Sequence, residues 1–279
     1  EQQNISWEKI HSSNFFSSLP DSTKEFLKER HDILEVSSFC YLSDNRKVKG
    51  YMVRPNTSNT SLPVILYARG GSKEFGMIDE KQISLIMSKL ASMGFLVIGT
   101  QYSGNDGSDG KDELSGCDLR DFLLLKEVAY EFEGDLERIT AYGGSRGGLM
   151  VLNACRTVDW IKNAIISCPE LDLIDQYEKR PELKEFRSDM YDVASEEENK
   201  KRSPFYNVGE LNTSTKYLLF QGGKDENVSP SKTIQFVEKM NRQGFETEFH
   251  FYSNDGHALR INYKDIFTIT DKFLEKNCK

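Results

Sequence analysis

The chain has 279 residues, 38% of them hydrophobic and 11% aromatic, which suits one large or two small folded domains and excludes a disordered chain. Its formal charge is −8 with no basic tract, which argues against a nucleic-acid-binding face, and no apolar run approaches the ~18 residues of a membrane span. The five cysteines form no C-x-x-C pair and read as unpaired, mostly core thiols rather than a disulfide framework.

In chain order, residues 1–32 are polar, with a helix expected from Ser22 to Arg30 capped by Asp21 or Ser22. Ile33–Leu42 and Lys47–Val53 are β-rich runs on either side of the turn Ser43-Asp44-Asn45, a hairpin signal. A polar loop follows over 55–62. Strand and helix then alternate. Val64–Ala68 is a short apolar run typical of a buried parallel strand. Asp79–Met93 has helical spacing and ends at Gly94. Phe95–Thr100 is a strand, Cys117–Phe132 a helix, Arg138–Tyr142 a strand and Arg146–Arg156 a helix. Ile161–Cys168 and Tyr217–Phe220 are strands, Ser231–Arg242 a helix, Phe245–Tyr252 a strand and Asn262–Asn277 a closing helix.

This alternation predicts an α/β fold: a mostly parallel twisted sheet with an N-terminal antiparallel hairpin and helices on both faces. The charged stretch over 170–211 is too long for a short connection and is expected to form a small helical cap. The domain expectation is therefore a helical and polar segment over 1–32 and an α/β domain with that cap over 33–279.

Gly143-Gly144-Ser145-Arg146-Gly147 matches G-x-S-x-G between a strand and a helix, the context of a nucleophile elbow. The glycines permit a positive-φ serine on a tight turn, and the Arg146 N–H at the helix start is aimed at a developing oxyanion. Alone, the motif is also compatible with a plain Gly-rich turn, but no G-K-[ST] follows to suggest a phosphate loop.

Of the four histidines, His11 and His31 precede the sheet and are expected at the surface, and His250 lies within a strand as a packed or surface residue. His257 stands in the loop after the last strand, where parallel sheets form ligand sites. Asp225, after the Tyr217–Phe220 strand and a Gly-Gly turn, is the choice to orient its ring. Asp172 is the runner-up, and Asp255 is too close in sequence. A second oxyanion N–H is expected from Gly71 in Arg69-Gly70-Gly71-Ser72.

Arg69-Gly70-Gly71-Ser72, Tyr102 to Gly107, Lys111 to Leu114, Gly143 to Gly148, Ser203-Pro204, Gln221 to Val228 and Asp255-Gly256-His257, in that order, resemble the catalytic domain of the prolyl oligopeptidase family from about Ile33 to the C-terminus. The resemblance implies an α/β-hydrolase fold, peptide or ester hydrolysis through an acyl-enzyme, and the roles of nucleophile, acid and base on Ser145, Asp225 and His257. The stretch before the hairpin is too short for one blade of the β-propeller many members carry, so no propeller gate is expected.

The family commonly has His or Tyr at the position of Arg69 and Tyr or Asn at that of Arg146. Arg69 is expected either to donate to the oxyanion or to pair with an acid beneath the site. Arg146 is expected either to select polar or acidic acyl groups or to pair with the cap acids Glu196 to Glu198.

A small peptide or acyl-ester substrate is thus expected, with no cofactor, no metal, no nucleic-acid partner and no membrane span. The Gly-rich acidic loop from Asn105 to Asp112 lacks the glutamate spacing of a calcium loop. Two other readings remain: a carboxylesterase or deacetylase acting on a glycan or metabolite, and a catalytically silent binding protein on the same fold. The unpaired cysteines favour a reducing compartment, and a first residue other than Met leaves export open. Oligomeric state is open.

Overall fold

The computed structural model describes residues 2–57 and 61–278; the middle of the loop expected over 55–62 lies outside them. Among the described residues, β1 (Gln2–Asn4), β2 (Leu34–Ser43), β3 (Arg46–Pro55), β4 (Leu62–Ala68), β5 (Leu96–Thr100), β6 (Gly134–Gly144), β7 (Asn163–Ser167), β8 (Lys216–Gly222) and β9 (Thr247–Tyr252) form one sheet. Its order is β1-β2-β3-β5-β4-β6-β7-β8-β9. Strands β1, β2, β3 and β5 pair antiparallel, and β5 through β9 pair parallel.

Strand β4 shows why the sheet is two-sided. Val64, Leu66 and Ala68 enter one apolar cluster with Phe122, Leu149 and Phe236, while Ile65 and Tyr67 enter the other with Met87, Phe267 and Leu274. Alternate side chains leave opposite faces of a strand, so a continuous apolar run needs helices on both sides. Helices Arg146–Thr157 and Pro230–Arg242 cover the first face, and Tyr263–Cys278 covers the second. The hairpin turn places Asp44 and Asn45 at φ 46° and 68°, the conformation of a tight two-residue turn.

Three elements depart from expectation. The helix expected over Cys117–Phe132 is two, Cys117–Leu123 and Leu125–Glu131, because Leu124 sits at ψ −12° and its carbonyl accepts from both Glu127 and Val128 N–H. The helix capped by the Asp79 carboxylate contains a π-turn, Ile83–Met87, before it ends short of Gly94 at φ 95°. The polar N-terminal stretch holds β1 and the short helices Trp7–His11 and Asn14–Ser17 ahead of the expected helix, here Asp21–His31.

Nor is His31 a surface residue. It is fully buried, stacks on Trp7 at 3.9 Å between ring centroids, and shares a 2.9 Å hydrogen bond with His11. Burial, then the charge His11 would carry, pull its pKa down to about 3. The unfolded chain, with an ordinary value of 6.5, therefore binds more protons below that pH, and stability falls as pH drops from 6.5 toward 3. Between pH 7 and 5 this group is expected to cost about 1–2 kcal/mol. Denaturant melts of wild type and His31→Gln across that range check it; identical pH dependence in the two would reject the idea.

Residues 170–211 carry helices Leu173–Lys179, Pro181–Phe186 and Glu196–Arg202 and two 3-10 turns. The first two helices lean over the ends of β4 and β6, where they wall the cavity described next.

Candidate active site

Ser145 links β6 to helix Arg146–Thr157 at φ 56°, ψ −124°. A non-glycine residue there is strained and survives only where its surroundings over-determine it. They do: Ser145 N–H donates to Ser167 O at 2.9 Å, and its carbonyl accepts from the N–H groups of Gly148 and Glu170. The turn also needs close backbone approach. A Cβ on Gly147 would lie 2.1 Å from Ala68 O, and one on Gly143 2.4 Å from Gly147 O, so no larger residue fits without moving β4 or the helix.

His257 follows β9 in a loop shaped by Asp255. One Asp255 oxygen accepts from Gly256 N–H, and the other accepts from both the backbone and side chain of Asn262. The Nδ1 of His257 lies 2.8 Å from Asp225 Oδ2. Asp225 Oδ1 accepts from the N–H groups of Asn227 and Val228 at 2.9 and 3.0 Å. Gln221 adds a donor to Oδ2 and is itself held by Thr233. Burial raises the Asp225 pKa, but the bond and charge of His257 and these N–H donors outweigh it, so the carboxyl lies below its usual range.

Ser145 and His257 open into one cavity of about 570 Å³. Its apolar wall comes from Phe75, Leu183, Phe186 and Val228. A buried ion pair completes it: Arg187 donates from both terminal nitrogens to Glu170, at 2.6 and 3.0 Å, and from Nε to Ser72 Oγ.

Gly71, the expected second oxyanion donor, lines the same cavity at φ 69°. The two arginine side chains do not, contrary to the expectation that they meet oxyanion or substrate. The buried Arg69 donates to the carbonyls of Gln101, Gly70, Phe75 and Lys73. Arg146, also buried, donates to Asp112, Asp118 and Gly71 O. Its acids come from the loop after β5 (Asp112) and the first turn of helix Cys117–Leu123 (Asp118), and the cap acids instead pair locally, Glu196 with Lys200 and Glu198 with Arg202. Asp172 caps helix Leu173–Lys179 and holds Tyr206 and Lys232.

Asp225 and His257 have a third neighbour in Cys168, with ligand-type atoms of the three within 4.8 Å of one another. The thiol is buried, and burial, then the charge of Asp225, hold it protonated. With the ring and the carboxylate already bonded to each other, this trio is poorly suited to a metal.

Residues 81–279 match the prolyl oligopeptidase family. The chain belongs to that family. It is accordingly a serine hydrolase of the α/β-hydrolase fold. It is 29% identical over 225 residues to the uncharacterized peptidase YtmA of Bacillus subtilis, covering 79% of this chain and 85% of that one. Acylaminoacyl peptidase from Pyrococcus horikoshii superposes with a TM-score of 0.77 at 20% identity, over 94% of this chain and 44% of the larger protein. The chain therefore spans less than half the length of that structural relative. Thermogutta terrifontis esterase 2 superposes at 0.66 and 21% identity, over 86% of this chain and 94% of that one.

In this prolyl oligopeptidase family member, the cavity residues Arg187, Phe75 and Phe186 carry no motif that marks them in the sequence. Glu170 is the exception, an acid three residues beyond the end of β7 at Ser167.

Proposed function

We propose that the protein cleaves peptide or ester bonds of substrates with an uncharged, apolar acyl side through a Ser145–His257–Asp225 triad. The observation that carries this is the 2.8 Å bond from the His257 ring to a charged, buried Asp225, with His257 lining the cavity that also holds Ser145 on its strained turn. In this reading Ser145 Oγ attacks the substrate carbonyl carbon while its proton passes to His257 Nε2. The oxyanion takes the N–H groups of Arg146 and Gly71. Collapse breaks the bond to the leaving amine or alcohol, which receives the proton from His257. Water activated by His257 then hydrolyses the acyl-enzyme and frees Ser145.

The acyl preference rests on the cavity wall. Glu170 and Arg187 neutralise each other there, as Arg180 and Glu182 do at 3.0 Å, leaving Phe75, Leu183, Phe186 and Val228 to bury an apolar group. The test is a fluorophosphonate probe with the adduct located by mass spectrometry, together with p-nitrophenyl esters and aminoacyl amides bearing acidic, basic or apolar acyl groups. Labelling at Ser145 and the highest kcat/KM on apolar members are expected. A wild-type protein that stays folded but unlabelled would sink the hydrolytic reading.

A further inference from the structure

The loop after β4 is gripped by its carbonyls. Arg69 donates from Nη1 to Gly70 O at 3.1 Å and to Phe75 O at 3.3 Å, and from Nη2 to Lys73 O at 3.0 Å. Arg146 donates from Nη1 to Gly71 O at 3.0 Å. Four carbonyls of one short loop thus face two guanidinium groups.

Those groups are fixed in turn. Both guanidinium groups lie over the Tyr102 ring, with the Arg69 carbon 5.1 Å and the Arg146 carbon 4.7 Å from its centroid. Arg69 Nε is anchored on Gln101 O at 3.1 Å. Asp112 accepts from both terminal nitrogens of Arg146, and also from Lys73 N–H at 2.9 Å, so it ties the arginine to the loop. Asp118 Oδ2 accepts from Arg146 at 2.6 Å, and its carboxylate is held by the N–H groups of Ser115 and Gly116. Two positive and two negative side chains, all buried, balance in charge.

A peptide unit is planar, with its C=O and the next residue's N–H pointing in opposite directions. Gly70 O points at Arg69, so the Gly71 N–H points away from it. Gly71 and Ser145 line the same cavity. A Cβ built on Gly70 would lie 3.2 Å from Gly144 O and 3.7 Å from Ser145 Cβ, which sets this peptide directly against the serine turn. A Gly-Gly peptide has little intrinsic preference to hold one orientation.

We infer that Arg69 and Arg146, the latter braced by Asp112 and Asp118, are positioning residues: Arg69, on Gly70 O, orients the Gly70–Gly71 peptide so that its N–H faces the oxyanion, and Arg146, on Gly71 O, fixes the Gly71–Ser72 peptide on the other side of the same residue. Neither guanidinium touches substrate; both act through the backbone. The inference rests on the hydrolytic reading above and assigns to two side chains the setting of that oxyanion donor.

The test compares wild type with Arg69→Lys and Asp112→Asn. Arg69→Lys keeps the charge but loses the planar fork that reaches several carbonyls at once. Asp112→Asn keeps the shape while weakening the ties to Arg146 and Lys73, and it decides the matter if the arginine variant fails to fold. Measured are kcat and KM on one apolar p-nitrophenyl ester, the affinity for a trifluoromethyl ketone that forms a tetrahedral oxyanion adduct, and the pH profile of kcat/KM.

Loss of an oxyanion donor lowers kcat by about 10²-fold. A fall approaching that size is expected, with KM within about twofold, a parallel loss of ketone affinity and an unshifted pH profile. A lowered Tm with kcat and ketone affinity unchanged would overturn the inference and leave the arginines purely structural. A change in KM alone, or a displaced pH profile, would also overturn it. Wild type without turnover or label would instead refute the hydrolytic reading itself.

Discussion

Ser145→Ala is expected to lower kcat by about 10⁶-fold, the loss seen when a triad nucleophile is removed from a serine hydrolase, with the fold intact. Alanine lacks the attacking oxygen but accepts the same backbone. The Ser145 N–H bond to Ser167 O and the carbonyl bonds from Gly148 and Glu170 do not involve the hydroxyl. The positive-φ strain at this position is present with either residue. Circular dichroism and thermal melts should therefore match wild type while turnover on an apolar ester disappears. His257→Ala should cost a similar factor, and the double variant little more, because nucleophile and base act as a unit. Retention of more than a few per cent of activity in Ser145→Ala would assign the chemistry to another group.

Asp225→Asn is the second large effect, expected near 10⁴-fold in kcat at neutral pH. The carboxylate accepts every hydrogen bond it makes: from the ring of His257, from Asn227 and Val228 N–H, and from Gln221. An amide in its place presents NH₂ on one side. If the two backbone donors take the amide oxygen, the NH₂ faces the ring, Nδ1 must become the acceptor, and Nε2 then carries the proton and cannot act as a base. The sign of the pH dependence also follows. Because the Asp225 pKa lies below the usual carboxylate range, it stays ionised as pH falls and does not set the acid limb of the wild-type kcat/KM profile. KM should change little. An Asp225→Asn enzyme within tenfold of wild-type kcat would show that ring orientation is secured by something other than this carboxylate.

Much of the fold can be read along the chain because its parallel strands are short apolar runs punctuated by glycine, and because the residues that meet at the cavity stand in loops directly after such strands. Ser145, Asp225 and His257 are of this kind. The supporting contacts are not. Arg146 meets Asp112 and Asp118 because the loop after β5 bends through Tyr102, Leu114 and Ser115 at φ 65°, 52° and 69°, angles that side-chain propensities argue against. The Glu170–Arg187 pair depends on where the 170–211 excursion docks, and its charged composition resembles a solvated surface. At the N-terminus, β1 owes its existence to pairing with β2 rather than to a pattern of its own.

The thiol of Cys168 carries a practical consequence. It is buried, protonated, and set beside the acid and the ring at the end of β7. Alkylating reagents attack thiolates that solvent can reach, and this sulfur is neither ionised nor exposed. Inactivation by a maleimide would thus be paced by transient opening of the sheet end rather than by reagent chemistry. Its rate, followed against temperature or bound inhibitor, is a clock for local breathing around His257.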